Sequence, residues 1–449
     1  MTKPVLAHPH RRIWAIAGPA IIANSSAPLV GLVDTWIIGH LPAAKYLAAV
    51  SVGSLLFSYV YWACGFLRMS TTGLVAQAHG RDDQDQVARV LLRATMLAAL
   101  LGLLFLALST PFRVAALGFL DPPADVIPLF DTYFDIRAWA IPAALLGLGI
   151  NGFLIGTARA KLSLYVQLTL NIANAVLSLL FVLGFDMGVA GVALGSLIAE
   201  WLAVALGFAF ISRTLGLKAL AAAVRESETY NPAKMKKLMS VNGFIFVRTL
   251  LLIFAFALLT REAAALGGVA LAAHHVLNTF MMLIALGLDG FAYASEALAG
   301  AAYGKGVRHE FRGWVKYGMI WSGAMAILYA LGFYLGGASL IFALTDLESV
   351  RAAATEVIPV IVLLPLVGAW CYQYDGIYIG ATAGRAMFGT IAVSVAVFVP
   401  SIGPLADAYG LVGLWMAMMV FLAMRGLTQA VWYPRLERRL ATDKTEGAS

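Results

Sequence analysis

Stretches of about twenty apolar residues recur along the whole chain of 449 residues, with only short polar breaks between them. A helix of that length spans the roughly 30 Å of hydrocarbon in a bilayer, because each residue adds about 1.5 Å. Charged residues are 12% of the chain, whereas a soluble domain carries roughly 25%. The chain is therefore predicted to be an integral membrane protein with no room for a soluble domain between its spans.

The apolar runs are continuous, which is typical of membrane helices and not of the alternating ten-residue segments of a barrel. We predict an all-α polytopic membrane protein. Its twelve transmembrane helices are expected at 13–38, 46–78, 87–110, 126–156, 163–184, 189–213, 236–260, 268–302, 309–336, 353–382, 386–403 and 409–433.

The positions of the 31 Lys and Arg residues predict the topology. With the N-terminus inside, 23 of them fall in cytoplasmic segments and four in segments on the opposite side. The positive-inside rule therefore predicts that both termini are cytoplasmic, which requires an even number of spans. The net charge of +7 is thus explained by topology, and no nucleic-acid partner is predicted.

The sequence also repeats itself at an offset of 224 residues, where "NGFLIGTARA" from Asn151 matches "DGIYIGATAG" from Asp375. Six spans lie in each half, so both halves enter the membrane in the same orientation as parallel repeats around a central cleft. The predicted organisation is an N-terminal lobe at 1–213, a cytoplasmic linker at 214–235, and a C-terminal lobe with a cytoplasmic tail at 236–449.

No enzyme signature accompanies these spans. "HEFRG" from His309 lacks the second histidine of a zinc protease, and no G-x-S-x-G nucleophile motif occurs. The two cysteines, Cys64 and Cys371, lie in apolar spans and are interpreted as core residues. We therefore predict neither an enzyme, nor a metal site, nor a cofactor.

Asp34 stands out in "GLVDTWIIGH", at the outer end of the first span. A carboxylate at that depth costs on the order of 3 kcal/mol, so it should be protonated, paired or functional. A solvated position near the lipid headgroups is the alternative. The offset position in the second half is Leu258, so the other lobe does not need this carboxyl, which favours a functional role.

Polar residues on the fifth and sixth spans could form a network with Asp34. The fifth span carries Asn171, Asn174 and Ser178, of which the last two are one helical turn apart, and the sixth carries Ser196 and Glu200 at the same spacing. The alternative for each residue is a hydrogen bond between helices that serves packing alone.

Three acids in the second lobe are candidates for a further site. Asp289 and Glu296 share one face of the eighth span, and Asp375 on the tenth replaces Asn151 of the first half. Ion pairs with the arginines within the spans, Arg68, Arg248 and Arg425, are the structural alternative.

Several of these segments together resemble the multidrug and toxic compound extrusion (MATE) transporters, and specifically their DNA-damage-inducible (DinF) branch. They are "PLVGLVDTWIIGHL", "FLRMSTTGLVAQAHG", the stretch from Asn151 to Trp201, and "YDGIYIGATAG". The resemblance implies a secondary exporter of bulky amphiphilic or cationic compounds driven by inward flow of H⁺ or Na⁺.

Carried over by position, the resemblance makes Asp34 the proton-responsive group, Pro19 the point at which the first helix bends, and Asn174, Ser178 and Ser196 the partners. Position 178 is commonly aspartate in the family and is serine here, which favours H⁺ over Na⁺ because less negative charge is present to hold a metal ion. Asp375 matches the acid of a second-lobe cation site, but the seventh span lacks the matching glutamate.

We expect a monomeric, proton-coupled exporter of multi-pass topology in the inner membrane, in contact with the lipid bilayer and with small-molecule substrates. A Na⁺-coupled drug exporter and a flippase for a lipid-linked precursor are the alternatives.

Overall fold

The computed structural model describes residues 8–39 and 43–446, and its regular structure within these ranges is helical. The α-helices are α1 (Pro9–Gly39), α2 (Ala44–Ala63), α3 (Phe66–Gly80), α4 (Gln84–Ala107), α5 (Ser109–Leu120), α6 (Ile127–Ala138), α7 (Ile141–Gly156), α8 (Ala160–Leu179), α9 (Gly188–Leu215), α10 (Leu217–Arg225), α11 (Pro232–Ala265), α12 (Gly268–Gly304), α13 (Arg308–Leu344), α14 (Glu348–Glu356), α15 (Ile358–Gly380) and α16 (Gly384–Glu446). A π-helical turn, Leu180–Gly184, follows α8, and a 3₁₀ turn, Ser227–Tyr230, precedes α11.

Ten helical segments of the described residues are long and apolar enough to cross a membrane. The pair formed by α6 and α7, bent by 46°, passes the same test as one broken span. In α16 the backbone at Gly410 is not helical, with φ 56° and ψ −130°, so this long segment consists of two helices. The described residues therefore contain the twelve spans that the sequence predicts.

The spans differ from the predicted ones in detail. The second span is interrupted by a turn at Cys64 and Gly65, between α2 and α3. The tenth starts at Ile358 and not at residue 353, because the short helix α14 precedes it. Residues 404–408, predicted as a loop, are helical, and the break comes at Gly410, where glycine tolerates the positive φ.

Contacts divide the chain into two compact units. We call Ile22–Leu238 the N-terminal unit, and Met1–Ile21 with Met239–Ser449 the C-terminal unit. The boundaries lie within α1 and α11 and not in loops. This division differs from the predicted lobes at the start of α1 and at the predicted linker, 214–235.

The linker belongs to the N-terminal unit because two arginines of α4 hold it. Arg93 donates from Nε to the backbone oxygen of Thr229 at 2.8 Å. Arg89 donates to the carboxylate of Glu226 at 2.5 Å. Two side chains from the predicted third span thus bind the polar linker to the N-terminal unit.

The start of α1 belongs to the C-terminal unit because aromatic side chains hold it there. The ring of Trp14 packs edge-on against Phe291 and Trp321, with centroids 5.3 Å and 5.2 Å away. Trp321 also donates from Nε1 to Nδ1 of His10 at 3.1 Å. Aromatic pairs of this geometry add to the stability that burial of their area provides.

Each unit has its own apolar core. In the N-terminal unit α3, α4, α7 and α9 pack around Ile150, Phe153 and Leu154. In the C-terminal unit α12, α13, α15 and α16 pack around a larger cluster that includes Phe280 and Trp415. Contacts within each unit, rather than loops, therefore position the polar side chains described below.

Close helix contacts repeat at the offset of 224 found in the sequence. A Cβ atom on Gly152 would lie 2.6 Å from the backbone oxygen of Arg68, and one on Gly376 would lie 2.4 Å from that of Ala292. One turn further along the helix, a Cβ atom on Gly156 would lie 2.8 Å from the backbone oxygen of Thr72.

The corresponding contact in the second half is between Gly380 and Glu296. A Cβ atom on Gly380 would lie 2.7 Å from the backbone oxygen of Glu296. The turns repeat as well, since Ala158 and its counterpart Thr382 both adopt positive φ, of 57° and 52°. The predicted internal repeat is therefore present as repeated backbone geometry within each unit.

We expect Gly376→Ala to lower the stability of the protein by about 1–3 kcal/mol, because its methyl group would overlap the backbone of α12. Thermal unfolding in detergent measures this change. Gly323→Ala on α13 is the matched control, because a Cβ atom added there would meet nothing within 4 Å, and its stability should be unchanged or raised. Equal melting temperatures for the two variants would contradict the close packing of α12 and α15.

Candidate functional site

Asp34 lies on α1 and is half-buried, with its Oδ1 atom shielded from solvent. Ser178 on α8 and the guanidinium of Arg137 on α6 are the groups that interact with this carboxyl. Neither Asp34 Oδ1 nor Ser178 Oγ has a hydrogen-bond partner among the described residues. The carboxyl is therefore inside the N-terminal unit but incompletely satisfied, and an unpaired buried polar atom costs about 1–3 kcal/mol.

The other predicted partners lie next to this pair. Asn174 on α8 donates from Nδ2 to Oγ of Ser196 on α9 at 2.7 Å. Its Oδ1 atom is shielded and has no partner among the residues that the structure describes. Close packing brings the helices together, since a Cβ on Gly195 would lie 2.9 Å from the backbone nitrogen of Ser178. The structure thus brings Asn174 and Ser196 together and places Ser178 at Asp34.

A second set of polar bonds joins α1 to α8. Asn171 donates from Nδ2 to Oγ of Ser26 at 2.6 Å, and accepts at Oδ1 from Nε2 of Gln167 at 3.1 Å. Sequence reasoning singled out Asn171 but missed Ser26 and Gln167. A spacing of four residues from Asn171 could have indicated Gln167, whereas no local pattern marks Ser26.

Arg137 connects Asp34 with a second acid. A nitrogen of its guanidinium lies 3.9 Å from the carboxylate of Glu200 on α9. The same guanidinium stacks over the rings of Phe57 and Tyr61, at 5.8 Å and 5.6 Å from their centroids. Two carboxyl groups therefore share the field of one fixed positive charge, an arrangement that the sequence did not predict because Arg137 is remote from both in the chain.

A cavity of about 190 Å³, lined by both apolar and polar side chains, adjoins this group within the N-terminal unit. Tyr61, Glu200 and Gln167 line it, together with Asn151 and Ser163. Ser163 donates from Oγ to Oδ1 of Asn151 at 2.7 Å. The cavity gives Glu200 polar surroundings on one side and Arg137 on the other.

Asp375 has different surroundings in the C-terminal unit. Arg248 forms a very short bond to its Oδ2 atom, and Arg425 donates to the same atom at 2.7 Å. Gln429 donates to Oδ1 at 2.6 Å. Asp289 on α12 also interacts electrostatically with Arg248. Two of the predicted acids thus share one cluster, in which two guanidinium groups neutralise Asp375.

Glu296, the third candidate acid of this lobe, lies on α12 and is 1% exposed. Pro19, the predicted bend of the first helix, lies within α1. Among residues 8–39 and 43–446, no group of three or more His, Cys, Asp or Glu side chains could hold a metal ion. Cys371 is buried, Cys64 is half-buried, and both are free.

The fold and these sites define a multi-pass helical membrane protein with buried titratable groups. The model of the MatE family matches the chain twice, at residues 19–180 and 245–405, once in each half. The chain therefore belongs to the MatE family, the MATE transporters, and is a transporter and not an enzyme.

Curated relatives agree with this assignment. The chain is 36% identical over 423 residues to DNA damage-inducible protein F of Escherichia coli K12, covering 94% of this chain and 92% of that protein. It is 29% identical to the chloroplastic Protein DETOXIFICATION 44 of Arabidopsis thaliana, over 94% of this chain and 81% of the relative. The predicted resemblance to the MATE family and its DinF branch is confirmed.

Solved structures share the fold at low sequence identity. A transporter of the MOP superfamily from Pyrococcus furiosus superposes with a TM-score of 0.84 at 18% identity, covering 98% of this chain and 99% of that one. The MATE transporter VcmN of Vibrio cholerae, in its bent form, gives 0.83 at 18% identity, covering 96% and 97%. The predicted twelve-helix fold in two lobes is confirmed by this agreement.

We expect Asp375→Asn to destabilise the protein by about 3–5 kcal/mol, because it leaves two buried guanidinium groups without their counter-charge. The melting temperature in detergent measures the loss. The double variant Asp375→Asn with Arg425→Gln should recover part of it, since one uncompensated charge is then removed. A single variant as stable as the wild type would show that Asp375 does not neutralise these arginines.

Proposed function

We propose that this transporter exports amphiphilic or cationic small molecules in exchange for H⁺, with Asp34 as the residue that binds and releases the proton. The observation that carries the proposal is the unsatisfied, shielded Oδ1 atom of Asp34 beside the equally unpaired Oγ of Ser178. A carboxyl in that position is the kind of group that membrane transporters use as a proton carrier.

Protonation would change both the charge and the hydrogen bonding of this site. The ionised carboxylate attracts Arg137 and can only accept hydrogen bonds, whereas the protonated group is neutral and can donate one. Its neighbour Ser178 can serve as donor or acceptor. Because Ser26 and Asn171 join α1 to α8, a hydrogen bond formed at Asp34 on protonation would alter the packing of the same two helices.

Two observations favour H⁺ over Na⁺ as the coupling ion. Position 178 carries a neutral hydroxyl, so Asp34 has no second carboxylate beside it on that helix to bind a metal ion. In the C-terminal unit Asp375 is already neutralised by Arg248 and Arg425, and Na⁺ would have to displace them. Hard cations bind through several oxygen ligands with enough negative charge, whereas a proton needs one carboxyl.

The substrate class, membrane and topology are part of the same proposal. A relative over 64% of this chain, from Rhizobium meliloti, is described as the probable multidrug resistance protein NorM, which supports drug-like substrates. The bacterial DinF relative supports the inner membrane, and the charge distribution supports cytoplasmic termini. We also propose that the functional unit is one chain, with access alternating between the two sides of the membrane.

The test uses inside-out vesicles or proteoliposomes that contain the full chain and the fluorescent cation ethidium. With an acidic interior, the wild type should accumulate ethidium until the pH gradient is collapsed. Asp34→Asn should reduce this accumulation to the level of empty vesicles, because an amide cannot carry the proton. Equilibrium binding of ethidium to the purified variant separates a loss of coupling from a loss of substrate binding.

Asp125→Asn is the matched control, because Asp125 is an exposed carboxyl in the loop before α6, and it should transport as the wild type does. Proton-driven accumulation by Asp34→Asn at the wild-type rate would overturn the role of Asp34. Accumulation driven equally by a Na⁺ gradient at constant pH would establish Na⁺ coupling instead. Translocation of a lipid-linked precursor without ethidium transport would identify a flippase.

A further inference from the structure

A cavity of about 170 Å³ lies in the N-terminal unit, where α3 ends and where α4 and α11 begin. Three basic side chains line it: Arg81 directly after α3, Arg93 on α4, and Lys234 on α11. Gln77 and Gln86 add polar groups. The lining, all of it in the described part of the chain, includes no acidic residue.

The positive charge of this cavity is only partly neutralised by its surroundings. Lys234 pairs with the carboxylate of Glu228. Arg81 has no ion-pair partner among the described residues. Arg93 is 3% exposed and directs Nε and Nη2 to the backbone oxygens of Thr229 and Glu228. Carbonyl oxygens orient a guanidinium without cancelling its charge. The carboxylate of Glu228 acts on both Lys234 and Arg93, but it offsets only one of the three positive charges, so the cavity stays electropositive.

Apolar side chains line the remaining wall of the cavity. On each of the three helices, the apolar residue lies one turn further from the helix end than the polar residue. On α3, Leu74 lies one turn before Gln77, deeper in the span. On α4, Val90 lies one turn after Gln86, and on α11, Leu238 lies one turn after Lys234. Polar groups are therefore concentrated at the helix ends and apolar groups towards the interior of the spans.

The guanidinium of Arg93 also reaches the polar end. Although Arg93 follows Val90 on α4, its long side chain extends to the backbone of the 3₁₀ turn Ser227–Tyr230, directly before α11. All three basic groups therefore gather near the helix ends. A free anion would need only these charges, whereas a lipid headgroup with its glycerol and acyl chains would also use the apolar wall.

We propose that this cavity binds the phosphate group of an anionic phospholipid, with the start of an acyl chain against Leu74, Val90 and Leu238. Basic pockets at the ends of membrane helices have the chemistry that recognises such headgroups. The bound lipid would lie against the linker that Arg93 and Arg89 hold on α4. Binding is therefore expected to stabilise the docked linker, whatever ion the transporter couples to.

The test measures the affinity of the purified full chain, in an uncharged detergent, for dioleoyl phosphatidylglycerol by native mass spectrometry and by thermal shift. Phosphatidylcholine and inorganic phosphate are the comparison ligands. We expect phosphatidylglycerol to bind saturably and to raise the melting temperature, phosphatidylcholine to bind much more weakly, and inorganic phosphate to have no effect at millimolar concentration.

The double variant Arg81→Gln with Lys234→Gln should lose about tenfold or more of this affinity, because each basic residue near an anionic lipid contributes substantially to binding. Arg93 is left in place because it holds the linker. The matched control is Arg159→Gln with Lys161→Gln, which removes two exposed charges outside the cavity and should bind as the wild type does.

Equal losses in the two double variants would overturn the proposal, since binding would then follow net charge and not the cavity. A melting-temperature rise caused by inorganic phosphate and abolished in the cavity variant would assign the cavity to a free anion and overturn the lipid assignment.

Discussion

A carboxylate that leaves water for the interior of a membrane protein loses hydration that only nearby positive charge or hydrogen-bond donors can replace. The C-terminal unit meets this requirement at Asp375, where two arginines and Gln429 surround the carboxylate. The N-terminal unit meets it only in part at Asp34, which lies in the field of Arg137 but whose Oδ1 atom has no hydrogen-bond partner among the described residues. The two units therefore hold their buried carboxyls differently, one in a cluster of ion pairs and the other with one oxygen atom unpaired.

This contrast arises on a repeated scaffold. The glycines at 152 and 156 pack against α3 in the way that those at 376 and 380 pack against α12. Helix contacts of this kind depend on backbone shape, so both halves must keep them. Side chains that do not take part in these contacts are free to differ. Asn151, which bonds Ser163 beside a cavity, has as its counterpart Asp375, at the centre of an ion cluster.

The basic residues at the ends of the spans also have more than one role. Their distribution predicts topology through the positive-inside rule, and several of them have defined contacts. Arg89 and Arg93 fasten the linker to α4. Arg81 and Lys234 contribute positive charge to a cavity with an apolar wall. The same charges that orient a membrane protein can therefore organise its connections and create an anion site at its surface.

The sequence by itself determined the helical membrane fold, the number of spans, the internal repeat and the family. The fold and the number of spans follow from hydrophobic length and backbone hydrogen bonding in lipid, which act on each segment alone. The repeat and the family follow from matching segments of the sequence. It also singled out Asp34, because one acid in an apolar run is visible without knowledge of its neighbours.

The tertiary structure decided which polar groups meet. Arg137 approaches Glu200 from 63 positions away in the chain, and Arg248 reaches Asp375 from 127 positions away. Nothing in the local sequence encodes such distances, because they depend on how the helices pack against each other. From the sequence alone, the second-lobe acids could be either members of a further site or partners in ion pairs. The packing of the helices places Asp375 in an ion cluster.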